Sequence, residues 1–198
     1  RPAMHTFYTG IGARRAPPEV LALMTRAAFA LRKRGYRLRS GHAIGADSAF
    51  ERGAGEDKQI FLPAPGWRGS ASQFHPDALP PELWQRARVI AAAAHPAFAG
   101  LDPFVQALHT RNVFQVLGST LDAPSDFVLC WTEDGEAWMQ AIDPAVMPTA
   151  KGTTYTEWYK TGWHWMHIPL ASLSNPVDVG LPKGSYSAQT VIDGNRFF

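Results

Sequence analysis

His5-Thr-Phe-Tyr-Thr-Gly-Ile-Gly12 begins with β-formers and breaks at two glycines. It predicts a strand, His5 to Tyr8, running into a tight turn at Thr9-Gly10-Ile11-Gly12. A helix follows: Pro17 and Pro18 suit a first helical turn, and Val20, Leu23, Met24, Ala27, Ala28 and Leu31 recur at three- and four-residue spacing until Gly35 stops the pattern. Its basic end, Arg32-Lys33-Arg34, complements a helix C-terminus. Tyr36 to Arg39 reads as a second strand and Ser40-Gly41-His42-Ala43-Ile44-Gly45 as a second glycine turn. A short helix from Ala46 to Gly53 and a third strand from Ile60 to Leu62 complete the pattern. Strand, helix, strand, helix, strand is the order of an α/β fold with a parallel sheet.

Outward from this core, Pro63 to Leu79 turns to Pro, Gly, Ser and Trp without periodicity, which predicts an excursion over the surface near the strand ends. Pro80 to Ala94 is a helix candidate. Asp102 and Pro103 form a cap and first-turn pair for another helix, through Phe104, Val105, Leu108 and Leu117. Phe127-Val-Leu-Cys-Trp131 shows no in-and-out alternation, as expected of a strand covered on both faces. After a loop from Thr132 to Lys151, Gly152-Thr153-Thr154 precedes a short helix ending near Gly162, and Trp163 to Leu170 reads as the last core strand. One domain over residues 1–174 with an extension over 175–198 packed on it fits the total of 198 residues.

Composition narrows the function. With 45% hydrophobic and 18% charged residues the chain is neither disordered nor a polyelectrolyte, and no apolar run reaches the ~18 residues of a membrane span. A net charge of +2 is too balanced to draw in a long polyanion. One cysteine, Cys130, permits no internal disulfide and no thiolate zinc site, and Arg1-Pro-Ala-Met-His-Thr6 has no basic-then-apolar signal pattern, so a reducing, cytoplasmic setting is expected. His75, His95 and His109 lack metal spacing, so no structural metal is expected; nor is a cofactor expected.

In an open parallel sheet, ligands bind at the C-terminal ends of the strands. Three turns are candidates for that place: Gly10 and Gly12 with Arg14; Ser40, Gly41, His42 and Gly45 with Asp47; and Gly152, Thr153 and Thr154 with Glu157. Glycine lets a backbone approach a phosphate closely, and the helix that follows offers unpaired N–H groups to an anion. No turn has the three spaced glycines of a dinucleotide fingerprint or the lysine of a triphosphate loop, which leaves a ligand of mononucleotide size. Each candidate also has a purely structural use. Asp47 can cap its helix, Glu157 can complement a helix dipole, and Arg111 can pair with a carboxylate.

Tyr8-Thr-Gly-Ile-Gly-Ala-Arg14 before a helix, then Arg39-Ser-Gly-His-Ala-Ile-Gly-Ala-Asp47, resembles the SLOG superfamily, which includes the Lonely Guy cytokinin-activating hydrolases and the sheet domain of DNA-processing protein A. The resemblance covers roughly residues 5 to 172, since Arg111-Asn112, Ser125-Asp126 and the Gly-Thr turn follow in the same order. It implies a Rossmann-like, doubly wound, mostly parallel sheet with helices on both faces. It further implies a nucleotide or nucleotide-derived ligand and, in the Lonely Guy branch, hydrolysis of the N-glycosidic bond of a nucleoside 5′-monophosphate. The positions matching that branch's catalytic pair are Arg111 and Glu157, with Asn112 beside the ligand. This chain's Ala150-Lys-Gly-Thr-Thr154 is poorer in glycine than the family turn.

The chemistry stands without the family. Glycosidic cleavage builds positive charge on the sugar, which a carboxylate stabilises, while an arginine fork holds a phosphate or the leaving base. The same crevice without turnover would make a nucleotide sensor or sequestering protein. Single-stranded nucleic-acid binding through Arg14, Arg15, Arg32, Lys33 and Arg34 ranks third against the small net charge. Among seven tryptophans, Trp67 and Trp131, with Tyr155, are candidates to stack on a base, while the cluster from Trp158 to Trp165 reads as core or as the interface of a homodimer or larger assembly.

Overall fold

A computed structural model describes residues 6–95, 97–131, 154–155 and 163–167, the last two segments as backbone. The chain forms an α/β fold of Rossmann-like type. Strands β1 (Thr6–Gly12), β2 (Tyr36–Ser40), β3 (Lys58–Ile60) and β4 (Phe127–Trp131) are all parallel, β1 lying between β2 and β4 and β3 flanking β2. Beyond β4 come β6 (Trp163–His167), antiparallel to it, and β5 (Thr154–Tyr155), antiparallel to β6, giving the order β3-β2-β1-β4-β6-β5.

Helices cover both faces. Helices α1 (Pro18–Lys33) and α2 (Ala46–Ala54) share one core with Tyr8, Leu38, Phe127 and Leu129. Helices α3 (Pro81–Ala94) and α4 (Pro103–Leu117) share the other with Ile11, Phe61, Val128 and Cys130. Successive strand residues point to opposite faces, so neighbours such as Leu129 and Cys130 enter different cores, and β4 is buried at every position. Asp102 caps α4 as expected, its carboxylate accepting the Phe104 N–H at 2.8 Å. No helix among the described residues is long and apolar enough to cross a membrane.

Three expectations are corrected. The first strand does not stop at Tyr8: it continues through Gly10 and Gly12, which pair with Leu129 and Trp131, and the turn begins at Ala13. Gly10 is there for packing, since a β-carbon would sit 2.6 Å from Cγ of Phe50 on α2. The third strand lies earlier, at Lys58–Ile60, because Phe61 already bridges to Phe74 at the foot of the excursion. Thr154 and Tyr155, expected in a turn leading into a helix, pair with His167 and Met166 as a strand. The helix expected to end near Gly162, the loop expected over Thr132 to Lys151 and the 175–198 extension lie outside the described residues, apart from Tyr155.

Candidate functional site

Two loops meet at the C-terminal ends of β1 and β2. Ala13 N–H donates to the Trp131 carbonyl at 2.8 Å, and Ala46 N–H, at the head of α2, donates to the Ala13 carbonyl at 3.3 Å. Gly45 makes this closure possible. Its φ is 82°, and a side chain there would run into the Ala13 and Arg14 carbonyls. Ser40 ties the neighbouring strand in, its hydroxyl donating to the Gly10 carbonyl at 2.6 Å. The Arg14 side chain is exposed at the rim.

Arg111 reaches this loop from α4. Its guanidinium is buried, donates to the carbonyl of Gly41 and to that of Phe61 at 2.9 Å, and stands 5.3 Å from the centre of the Trp67 ring. Gly41 has to be glycine, because a β-carbon would occupy the space of the Arg111 guanidinium and of the Gln115 amide nitrogen. Gln115 follows Arg111 by one helical turn and so shares its face. Two donors here have no partner among the described residues, Nε of Arg111 and Nε2 of Gln115, both on side chains more than nine-tenths buried. A buried donor without an acceptor costs roughly 1–3 kcal/mol, so an acceptor that reached the pair would be stabilising.

Asp47 completes the buried polar set from the first turn of α2. It accepts the Ala43 N–H at 3.2 Å and is also bonded by the Gly41 N–H. Burial pushes its carboxyl up to about 6, while the Arg111 charge and the two amides pull the other way. Burial also lowers the Arg111 guanidinium, with Asp47 opposing. The helix N-terminus, a buried cation and two unpartnered donors thus surround one backbone turn. That arrangement has the donors and the dipole that suit an anionic oxygen.

His42 sits in the same turn at φ 61°, a left-handed conformation unusual for a residue with a β-carbon. Its Nδ1 pairs with Glu51 at 2.8 Å, and Lys58 holds the other carboxylate oxygen at 3.3 Å. Asn112 follows Arg111 on α4 and is half-buried. Thr154 is not brought to the crevice. It pairs with His167, which pairs with Phe127, so its backbone lies two strands from β4 and level with that strand's first residue, whereas the loops gather at its last, Trp131. Gly152, Thr153 and Glu157 lie outside the described residues.

Sequence reasoning missed Gln115 and Glu51. Gln115 had a signal, its four-residue spacing from Arg111. Glu51 had one too, the same spacing from Asp47 along α2, but its pairing with His42 depends on the left-handed backbone there. Among the described residues no group of three or more His, Cys, Asp or Glu side chains stands close enough to hold a metal ion. Cys130 is buried with its thiol pushed upward by burial, which makes a poor nucleophile. Compared with protein-family models, curated proteins and solved structures, the chain matches none.

Proposed function

We propose that the chain binds a nucleotide or nucleotide-derived metabolite at this crevice and hydrolyses its N-glycosidic bond. The observation that carries the reading is the pair of buried, unpartnered donors of Arg111 and Gln115 gathered on Gly41 at the head of α2. A phosphate oxygen would satisfy them and complement the helix dipole. The resemblance of Tyr8–Arg14 and Arg39–Asp47 to SLOG proteins favours the same ligand class.

In the reaction, Arg111 fixes the phosphate or the departing base, and Glu157 stabilises the sugar cation and orients water. A second reading is a nucleotide sensor without turnover. It is favoured by Arg111 itself, whose NH1 is committed to the Gly41 and Phe61 carbonyls, and by Thr154, which stands away from the loops. Incubating the protein with a panel of nucleoside mono- and diphosphates and cyclic and ADP-ribose-type nucleotides, read by thermal shift and chromatography, separates the two. Free base from one member, lost in Glu157→Gln, establishes the hydrolase. A thermal shift without product establishes the sensor, and no shift with any member overturns both.

A further inference from the structure

The Pro- and Gly-rich excursion after β3 is an ordered arm closed at its foot. Phe61 bridges to Phe74, Leu62 N–H donates to the Phe74 carbonyl at 2.8 Å, and the Ser72 hydroxyl bonds to the Ile60 carbonyl at 2.5 Å. At its tip Gly66, Arg68 and Gly69 take φ values of 65°, 53° and 79°. Two of these are glycines and adopt such angles freely, but Arg68 carries a β-carbon and is strained there. The tip is held by Gly69 N–H on the Gly66 carbonyl at 2.9 Å and Ser70 N–H on the Trp67 carbonyl at 3.1 Å.

This backbone presents one large side chain, Trp67. The indole is partly exposed, and its ring centre stands 5.3 Å from the Arg111 guanidinium carbon and 6.4 Å from the centre of the Phe104 ring. Phe104, in the first turn of α4, is itself 43% exposed. A partly exposed ring beside an exposed one leaves apolar area in water that packing alone would have covered. They adjoin the anion-binding turn directly, since the guanidinium that touches Gly41 is the one beneath Trp67. A ligand with an anionic group at one end and a flat heteroaromatic ring at the other spans the two.

We infer that Trp67, with Phe104 beside it, is the base-stacking platform of the crevice and sets its preference for ligands that carry a nucleobase. This rests on the nucleotide reading above and extends it from the phosphate end of the ligand to the base. Stacking on an aromatic face tolerates any base, so the platform selects a class and not one member. Arg68, with its guanidinium carbon 5.7 Å from the Trp67 ring centre, adds a second cation at that end.

The test is calorimetric titration of the full chain with the four ribonucleoside 5′-monophosphates and with ribose 5-phosphate, which keeps the phosphate and sugar but has no base. Trp67→Ala should weaken the best-bound nucleotide by about 10-fold or more and leave ribose 5-phosphate within about 2-fold. Phe104→Ala, an exposed site whose loss does not threaten the fold, should show the same selectivity at smaller size, and Trp67→Phe should retain most of the affinity. Equal weakening of nucleotide and ribose 5-phosphate in Trp67→Ala, or no selective loss in either alanine variant, would overturn the inference and leave the phosphate reading standing. So would an unaltered protein that binds nucleotides no better than ribose 5-phosphate. If neither these ligands nor any other nucleotide of the panel above binds, the nucleotide reading fails and this inference with it.

Discussion

Arg111 donates to the Gly41 carbonyl from 70 residues away in the chain, and it can do so because Gly41 lacks the β-carbon that would stand in its path. This contact joins α4, packed on one face of the sheet, to the loop that leads into α2 on the other. Gly41→Ala therefore forces either the loop or the guanidinium to move. Overpacking of this kind costs about 1–3 kcal/mol, to be read as a lowered urea midpoint, and the displaced Arg111 should abolish ligand-induced thermal shifts. A Gly41→Ala protein with unchanged midpoint and unchanged ligand response would remove Arg111 from the crevice.

Asp47 gives the fold a pH dependence of definite sign. Its folded carboxyl titrates near 6 against an ordinary value of 3.8, so the native state holds the proton more tightly than the unfolded chain. The resulting stability is fully present below about pH 4 and is lost as pH rises through 6, by on the order of 2–3 kcal/mol. Asn cannot ionise and still offers an oxygen to Ala43 N–H. Asp47→Asn should thus match the unaltered protein at pH 4 and exceed its stability at pH 7.5. Asp126, raised to about 6 by burial against the opposing charge of Arg39, adds to the same window, so urea titrations of both single variants and the double variant apportion the effect. An Asp47→Asn difference that is flat with pH would show that Asp47 is not buried as described.

The alternation of strand and helix in residues 5–62 was legible because each break carries its own chemistry: prolines entering α1, Gly35 after it, and Gly45 before α2. The unbroken apolar run of β4 was equally plain, since a strand buried on both faces needs no alternation. Gly10 misled, because a glycine demanded by a neighbouring Phe50 reads the same in sequence as one demanded by a turn. In the site, the turns and Arg111 were visible as residue types, but the burial of Asp47 beside Arg111 is set by α4 docking across the sheet. No local pattern encodes that docking. Arg39 shows the same limit: nothing in the strand pattern around it marks it as buried, and it is 3% exposed in the structure.

That burial makes Arg39 a structural clamp. Its Nε donates to Gln59 at 3.0 Å and its NH1 to the Ala123 carbonyl at 2.6 Å, while its guanidinium carbon lies 3.9 Å from the centre of the Phe7 ring. The 118–126 connection into β4 is held this way. Arg39→Ala should cost about 2–4 kcal/mol, since several charge-assisted hydrogen bonds and a stacked face disappear together. Arg39→Lys should recover only part of it, because an ammonium cannot bond in the plane of a fork and stack at once. Full rescue by lysine in thermal unfolding would mean that charge alone, and not the fork, is what the connection needs.

His42 separates backbone strain from side-chain bonding within one residue. Its φ of 61° favours glycine, while its Nδ1 contact with Glu51 at 2.8 Å favours the imidazole. Glu51 is acceptor-only as a carboxylate, so the Nδ1 atom carries the proton in that contact and donates it. His42→Ala loses the bond and keeps the strain; His42→Gly loses the bond and relieves the strain. Glycine should therefore be more stable than alanine at this position by roughly 1 kcal/mol. A double-mutant cycle of His42→Ala with Glu51→Gln should give a coupling of about 0.5–1.5 kcal/mol for a partly buried, charge-assisted pair. If alanine and glycine prove equal, position 42 is not held in the left-handed region in solution, and the close approach of the glycine turn to α2 must be drawn differently.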